Sequence, residues 1–587
     1  MASLQQRATG KNGKYKYWYI VESRRVNGKP RPITLASLGT ADRLLKRITE
    51  GDSDKVYSCK SYSHGAIAAF LKMAERLNIV EIINSHTNSQ KSYMSKKPLR
   101  HNLTAGITLL LAALGRNSKP TSKRGWWQWA KKTSCEYLLR MSLCKIDSQH
   151  FWDLMDCIPE ENIPLIEAEI TRNIVKQYKI ETDYLLYDTT NFYTYINSQN
   201  DRCTIAQRGK NKQKRTDLRQ VGLAMVVTQT DSIPLFHETY QGNMNDSKVF
   251  SKILSKIKKR MVDIGFDFKN NTMIFDRGNN SKKNLAKLTT KKYHYVGALT
   301  PYQHQDLIEE AEGNFSKVIV KNKAIQVYRA KKKIWGEERT VVVYISEKLK
   351  VGQLAGVYQS LEKKKKELRK IQSQLRNPNT RQTDKTKLEK KVCSLLKGQY
   401  MEGIISFEVE KDTKGKLHLN WLVNKKKIES LEDEFGFRIV MTNRHNWSTE
   451  KIITAYHGQA DVESAFKRMK NRNYHCGGSR FHWTDQKIKV DQFISVLSCQ
   501  LSSLLHRELK EKINFSGSQE KMLEILNSIR LVALAKKVKN RKNIQVKYQL
   551  EEMETEEKEI SEALELEKIH IKRPKIMGVR VYNSKQR

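Results

Sequence analysis

YLLYDTTNFY, residues 184–193, decides the fold. Tyr184 to Tyr187 form a short apolar run that ends on Asp188 and is bounded by polar residues. That is the pattern of a buried strand holding a carboxylate at its end, where a sheet keeps it rigid. TMIFDRG, residues 272–278, repeats the design with Asp276. GLAMVVTQ (222–229), Pro234 to Tyr240 and YHYVGAL (293–299) also predict strands. Between them SKVFSKILSKIKKR (247–260) has helical apolar spacing, and another helix begins at Ser281. Strands alternating with helices predict an α/β domain with a mixed sheet.

Outward from this block the pattern changes. Residues 15–40 read as paired strands around the Asn27-Gly28 turn, and residues 64–180 as helices. Residues 301–440 interrupt the α/β block. Strands AIQVYRA, TVVVYI, GIISFEV and HLNWLV flank a Lys-rich helical hairpin, in which Leu354, Val357, Leu361, Leu368, Ile371 and Leu375 follow a broken heptad. Helices return from Thr449 to about Arg507, and 516–570 reads as helical, with an acidic stretch suited to pairing with basic surface. The expected division is a small basic β-rich module (1–60), a helical region suited to binding DNA ends (61–180), a core first part (181–300), the β-rich insertion (301–440), a core second part (441–510) and a helical C-terminal region (511–587).

The chain has 587 residues, 39% of them hydrophobic, which suits several folded units and excludes a disordered chain. Its 108 Lys and Arg against 63 Asp and Glu give a formal charge of +45. Such an excess implies a polyanionic partner, because neutralising phosphates releases counterions. Eight scattered cysteines form no C-x-x-C pair, which argues against a zinc ribbon or redox motif; His475, Cys476 and His482 read as ordinary loop residues. The start has no apolar leader, and the longest apolar run, Leu103 to Leu114, is too short to span a bilayer. The expectation is a soluble, cytoplasmic, nucleoid-associated protein with no membrane role.

A third acidic residue lies in ITAYHGQADVESAFKRMKNR. On one helix, Tyr456, Gln459, Glu463 and Lys470 fall within an arc of about 60°. Together with Asp188 and Asp276 this suits phosphodiester hydrolysis. Mg²⁺ prefers carboxylate oxygens, and two ions about 4 Å apart activate the attacking oxygen and stabilise the leaving one. Lys470 would neutralise a phosphate and Tyr456 would donate to it. A solvated helix face would carry the same residues.

These segments resemble the DDE transposases of insertion sequences, in the cut-and-paste group with a Y-R-E-K signature. Tyr456, Glu463 and Lys470 match that signature in spacing, while Gln459 stands at the Arg position. KRTDLRQVGLAMVVTQTDSIPLFHETYQGNMNDSKVF resembles the group's second-strand region, with its G-N-x-x-D turn at Gly242, Asn243 and Asp246. IFDRGNNSKKNLAKL resembles the segment bearing the second Asp, and YWYIVESRRVNGKPRPITLASLG the opening of one branch. The resemblance implies a ribonuclease-H-like core with a β-rich insertion, and Asp188, Asp276 and Glu463 as ligands of two Mg²⁺ or Mn²⁺ ions. It implies cleavage at transposon terminal inverted repeats, 3′-hydroxyl transfer into target double-stranded DNA, and a homodimer on paired ends. Tyr456, Gln459 and Lys470 would hold phosphate. The basic loop RGKNKQKR, with Lys210, Lys212, Lys214 and Arg215, is expected to contact the DNA backbone, and Trp421 or Trp447 to stack on a flipped base. Two other readings use the same residues: a ribonuclease-H-like nuclease that cuts without joining, and an inactive DNA-binding descendant of a transposase.

Overall fold

The computed structural model describes residues 2–9, 15–26, 29–42, 45, 57–87, 103–144, 146–181, 183–211, 215–266, 271–377, 384–413, 415–471, 480–537 and 544–576. At its centre is a nine-stranded sheet. In chain order its strands are β1 (Tyr184–Thr194), β2 (Arg219–Thr228), β3 (Pro234–Gln241), β4 (Thr272–Phe275), β5 (His294–Leu299), β6 (Ser316–Val320), β7 (Lys323–Ile334), β8 (Glu337–Ile345) and β9 (Phe437–Thr442). Across the sheet the order is β3-β2-β1-β4-β5-β9-β8-β7-β6. β1 to β3 form an antiparallel meander, and β4 and β5 add parallel to β1 on its other side. Three antiparallel strands followed by two parallel ones, with helices on both faces, make a ribonuclease-H-like core.

Alternation along the central strands separates the two faces. Leu185, Tyr187, Met273 and Phe275 pack with Phe250, Ile253 and Leu254 of helix Asp246–Asp263. Leu186, Ile274 and Val296 pack on the other side with Ile452, Ile453, Val462 and Phe466. Each central strand is therefore apolar on both faces, which is why its sequence reads as a continuous run.

The block 301–440 divides otherwise than its sequence pattern suggests. β9 pairs with β5, and β8 with β9, so these strands and β7 and β6 extend the core sheet. The cause lies in β8: Val341 and Val343 pack on one face and Val342 and Tyr344 on the other, so it needs sheet neighbours and covering layers. What stands apart is an arm: helix Glu347–Arg376, helix Lys385–Leu396, the hairpin Ile405–Lys411 with Leu417–Val423, and helix Lys425–Glu434. It has its own apolar cluster, including Val357, Leu361, Leu368, Leu388, Val392 and Leu419.

A large helical core holds the run Leu103 to Leu114 mostly within helix Ala105–Ser118, packed with helix Gly65–Arg76 and the long helix Asp485–Ile513. The N-terminal module is an antiparallel sheet of Ala2–Thr9, Tyr15–Val26 and Lys29–Thr40; its Asn27-Gly28 turn lies outside the described residues. The expectation of a wholly helical C-terminal region is corrected. Strands Arg530–Lys537 and Ile544–Leu550 pair there, and the first also pairs with Tyr57–Ser63. Ile544, Val546, Tyr548 and Leu550 alternate with period two, and Arg530–Lys537 is the middle strand, with Ile544–Leu550 on one side and Tyr57–Ser63 on the other. Among the described residues no helix is long and apolar enough to cross a membrane.

Candidate active site

Asp188 and Asp276 lie side by side. β1 and β4 are parallel neighbours, with Tyr187 opposite Phe275, so the next residue on each is an aspartate. Adjacent strands are about 4.8 Å apart. Asp276 follows β4 in extended backbone (φ −73°, ψ 160°), so the alternation carries through it. Both carboxylates fall two residues after Leu186 and Ile274, on the face covered by helix Gln459–Lys470. Both are partly buried, and Glu463 on that helix is exposed.

Two anchors seat this helix on β1. The Gln459 amide donates to the Tyr187 carbonyl at 3.1 Å, and Lys470 donates to the Thr190 hydroxyl while lying 5.3 Å from the Phe192 ring centre. The anchors bracket Glu463 on the helix and Asp188 on the strand. Val462, Ala465, Phe466 and Met469 bury the helix's inner side. Gln459 is only 7% exposed, and its side-chain oxygen is buried without a hydrogen-bond partner among the described residues. With its donor engaged by the strand, it is placed to position the helix rather than to grip phosphate.

The single helix expected around this face is broken. Thr449–His457 and Gln459–Lys470 meet at Gly458, where the bonding tightens: Gly458 donates to Ala455 at 3.1 Å and Asp461 to Gly458 at 2.8 Å. A Cβ at Gly458 would stand 2.6 Å from Gln229 Nε2, so the side chain of a neighbouring strand's loop occupies that space. Tyr456 thus belongs to the preceding helix, yet still reaches the site. Its phenol, 6% exposed, donates to Asp276 Oδ1 at 3.4 Å. Burial, reinforced by the charge of Asp276, raises it above the ordinary tyrosine range, so it stays a donor.

The basic loop lies beyond the C-terminal part of β1. Asn211 organises it by accepting from Tyr193 Oη at 2.9 Å and from the Arg215 backbone at 2.9 Å. Lys210 is exposed, Arg215 is forked onto Asp217 through two bonds of 2.7 Å, and Lys212 and Lys214 lie outside the described residues. The tryptophans are packed side chains. Trp421 joins the arm's apolar cluster, and Trp447 meets Tyr184 edge-on at 5.7 Å with Lys451 4.7 Å from its ring centre. His445 accepts or donates with Thr340 at 3.0 Å and His457 with Tyr344 at 3.3 Å. Cys476 is outside the described residues, and His482 pairs with Asp491 at 3.4 Å.

Sequence reading missed the clamp that holds the far end of β1. Asp491, on the long helix Asp485–Ile513, binds Arg116 and Lys123 at 2.6 Å each and also Arg480. Arg480 lies 5.0 Å from the Phe192 ring centre, and its backbone bonds Tyr193 and Tyr195 at 3.0 and 2.8 Å. Arg116 and Lys123 lie 375 and 368 residues from Asp491 in sequence, and no local pattern announces the clamp.

Asp188, Asp276 and Glu463 offer only oxygen donors, which suits Mg²⁺ or Mn²⁺ better than softer metals. Among the described residues no group of three His, Cys, Asp or Glu is close enough to form a closed metal cage. Mg²⁺ keeps several waters and is commonly held by one or two carboxylates plus substrate phosphate, so an open pair of aspartates fits it.

Comparison with known proteins gives two family matches. The Transposase DDE domain matches residues 179–500, and the N-terminal domain of the IS1634 family transposases matches residues 5–57. No curated protein matches the chain. Among solved structures, a cryo-EM structure of the piggyBac transposase synaptic complex with hairpin DNA shares 10% identity over 79% of each chain with a TM-score of 0.36, too loose a likeness to bear on the assignment. The DDE match covers more than half of the chain, includes both aspartate strands and the Glu463 helix, and follows an N-terminal match of the same kind: the chain belongs to the DDE transposases of insertion sequences.

Proposed function

We propose that Asp188, Asp276 and Glu463 form the catalytic centre of this transposase, cutting DNA at the element's terminal inverted repeats and joining the freed 3′-hydroxyl to target DNA. The observation that carries the reading is the register of β1 and β4, which sets two aspartates side by side on one face beneath the Glu463 helix. The three carboxylates would hold two divalent ions, Mg²⁺ or Mn²⁺, which when bound supply an activated oxygen nucleophile and stabilise the leaving oxygen. Tyr456 orients the Asp276 carboxylate through its phenol. Gln459 fixes the helix against β1. Lys470, exposed beside Thr190, meets the scissile phosphate's charge, and Lys210, Lys212, Lys214 and Arg215 meet the backbone farther out. Trp447, framed by Arg444 and Lys451, is the better placed of the two tryptophans to receive an unstacked base. Two chains on paired ends would bring two such centres to the target.

A strand-transfer assay separates this reading from a nuclease that only cuts. A duplex with a precut 3′-hydroxyl end is mixed with wild-type protein, Mg²⁺ and plasmid. Joined products that vanish in Asp188→Asn support transposition. Cutting of uncut ends without any joining of precut ones would make the protein a nuclease.

A further inference from the structure

The arm helix Glu347–Arg376 carries nine Lys and Arg against three Glu, and its partner Lys385–Leu396 four Lys against one Glu. One face of the arm helix is built in two parts. Gly352, Ala355 and Gly356 lie near its base, and Lys363, Lys366 and Lys370 farther out; all are exposed and fall within about 100° of one another. The opposite face, with Val357, Leu361, Leu368 and Ile371, is buried against the arm's own cluster. Lys364, on that inner side, is spent on the Leu395 and Lys397 carbonyls that end the second helix.

The two glycines have no packing reason to be there. A Cβ at Gly352 or Gly356 would meet nothing within 4 Å. Each nonetheless weakens the helix relative to Ala. A bare helix face leading into a row of lysines suits a partner that comes close at the base and is negatively charged along its length.

The base sits at the edge that bears the carboxylates. Phe275 is level with Gly297, Leu299 with Ile439, and Ile345, the end of β8, with Phe437. The ends of β4, β5 and β8 thus share one edge, and Ser346 caps the arm helix directly after β8. From there 30 residues extend about 45 Å, the length of about 13 base pairs.

We propose that this face of the arm lies along duplex DNA leaving the active site, its lysines on the phosphates and its glycine base under the backbone. The inference rests on the transposase reading and adds a second DNA-contacting surface to it. Exposed Lys370 pairs with Glu367 at 3.2 Å, a weak contact that a phosphate displaces.

The test uses the full chain and two end duplexes, one stopping near the cut and one about 13 base pairs longer. Binding is followed by fluorescence anisotropy at several salt concentrations. In K363Q/K366Q/K370Q, glutamine keeps the helix and removes the charge. The slope of log affinity against log salt should flatten by about 0.9 per lost phosphate contact, and the gain from the longer duplex should shrink. In G352Q/G356Q, the arm should become more stable while long-duplex binding weakens, which a purely structural arm would not do. Unchanged slopes and an unchanged length effect in both variants would overturn the proposal while leaving the active-site reading intact. So would unchanged DNA binding with lost self-association, which would assign the arm to the acidic helix Thr555–Ala563 of a second copy. Wild-type protein that binds neither duplex would instead defeat the transposase reading itself.

Discussion

Asp276 and Asp491 are both aspartates in a chain crowded with Lys and Arg, but their surroundings differ in kind. Asp491 is 3% exposed and faces Arg116, Lys123 and Arg480. Burial alone would raise its carboxyl, but those cations outweigh it and hold the group well below the usual carboxylate range. Asp276 opens to the sheet edge, receives one phenol hydrogen bond, and stands beside Asp188, a like charge on the next strand. A saturated acid fastens elements together. Acids set side by side at a sheet edge are, in the proposed reading, the pair that would take an external cation. Through Arg480 the clamp at Asp491 also ties the far end of β1 to the long helix.

The largest expected effect separates the two aspartates. Asp276→Asn should lower single-turnover DNA cleavage about a thousandfold or more, since in the proposed reading it would help hold ions that supply several kcal/mol of barrier reduction, with little change in melting temperature. Asp491→Asn should do the reverse. Breaking a buried pair and stranding its cations costs about 3–5 kcal/mol, read as a lower denaturation midpoint, while the folded fraction keeps its activity. If Asp491→Asn melts normally but cannot cut, the comparison collapses.

The pH dependence sharpens it. Asp491's folded pKa is depressed, so its contribution is present above the unfolded aspartate pKa and is lost as pH falls toward its folded value. Acid unfolding of wild type should therefore be steeper at low pH than that of Asp491→Asn. His482 adds an earlier step: burial, with Lys123 beside it, pushes it down to about 4, so the stability its neutral form contributes is lost as pH falls from the unfolded histidine value to about 4, before Asp491 titrates.

A smaller effect is expected at the positioning residues. Tyr456→Phe and Gln459→Ala each remove one hydrogen bond, to Asp276 and to the Tyr187 carbonyl. Each should slow cleavage about tenfold without weakening DNA binding. Weakened binding at low salt in Gln459→Ala would return Gln459 to the role of phosphate ligand.

The smallest concerns Asp461, on the Glu463 helix. Burial raises its pKa to about 6. The raised value means that its stability contribution is full below the unfolded pKa and lost as pH rises to about 6. Asp461→Asn should therefore raise the melting temperature at pH 8 and leave it nearly unchanged at pH 4. Equal shifts at both would show that burial of the charge is not the cause.

The parts of the candidate site that the sequence offers are local. Apolar strand runs ending on Asp188 and Asp276, and a helix face bearing Glu463 and Lys470, are written within a few residues each. What was not legible depends on distant partners. The break at Gly458 is set by Gln229, and the seating of Gln459 by a strand carbonyl that any sequence would offer. The pairing of Tyr57–Ser63 with Arg530–Lys537 joins segments more than 450 residues apart in sequence, as the Ser63–Asn527 and Ser61–Arg530 contacts also do, at separations of 464 and 469. In the insertion, strand content was readable but not its destination: nothing local in TVVVYI tells a separate sheet from a continuation of the core, which β9 settles by pairing with β5.

The most direct measurement is cleavage of a labelled duplex carrying the element's own end, in Mg²⁺ and in EDTA, by wild type, Asp188→Asn, Asp276→Asn and Glu463→Gln, with binding of the same duplex followed in parallel. The account predicts cutting by wild type in Mg²⁺ alone, and three variants that bind the end but do not cut it. Cutting that survives EDTA, or persists at the wild-type rate in any of the three variants, would contradict it.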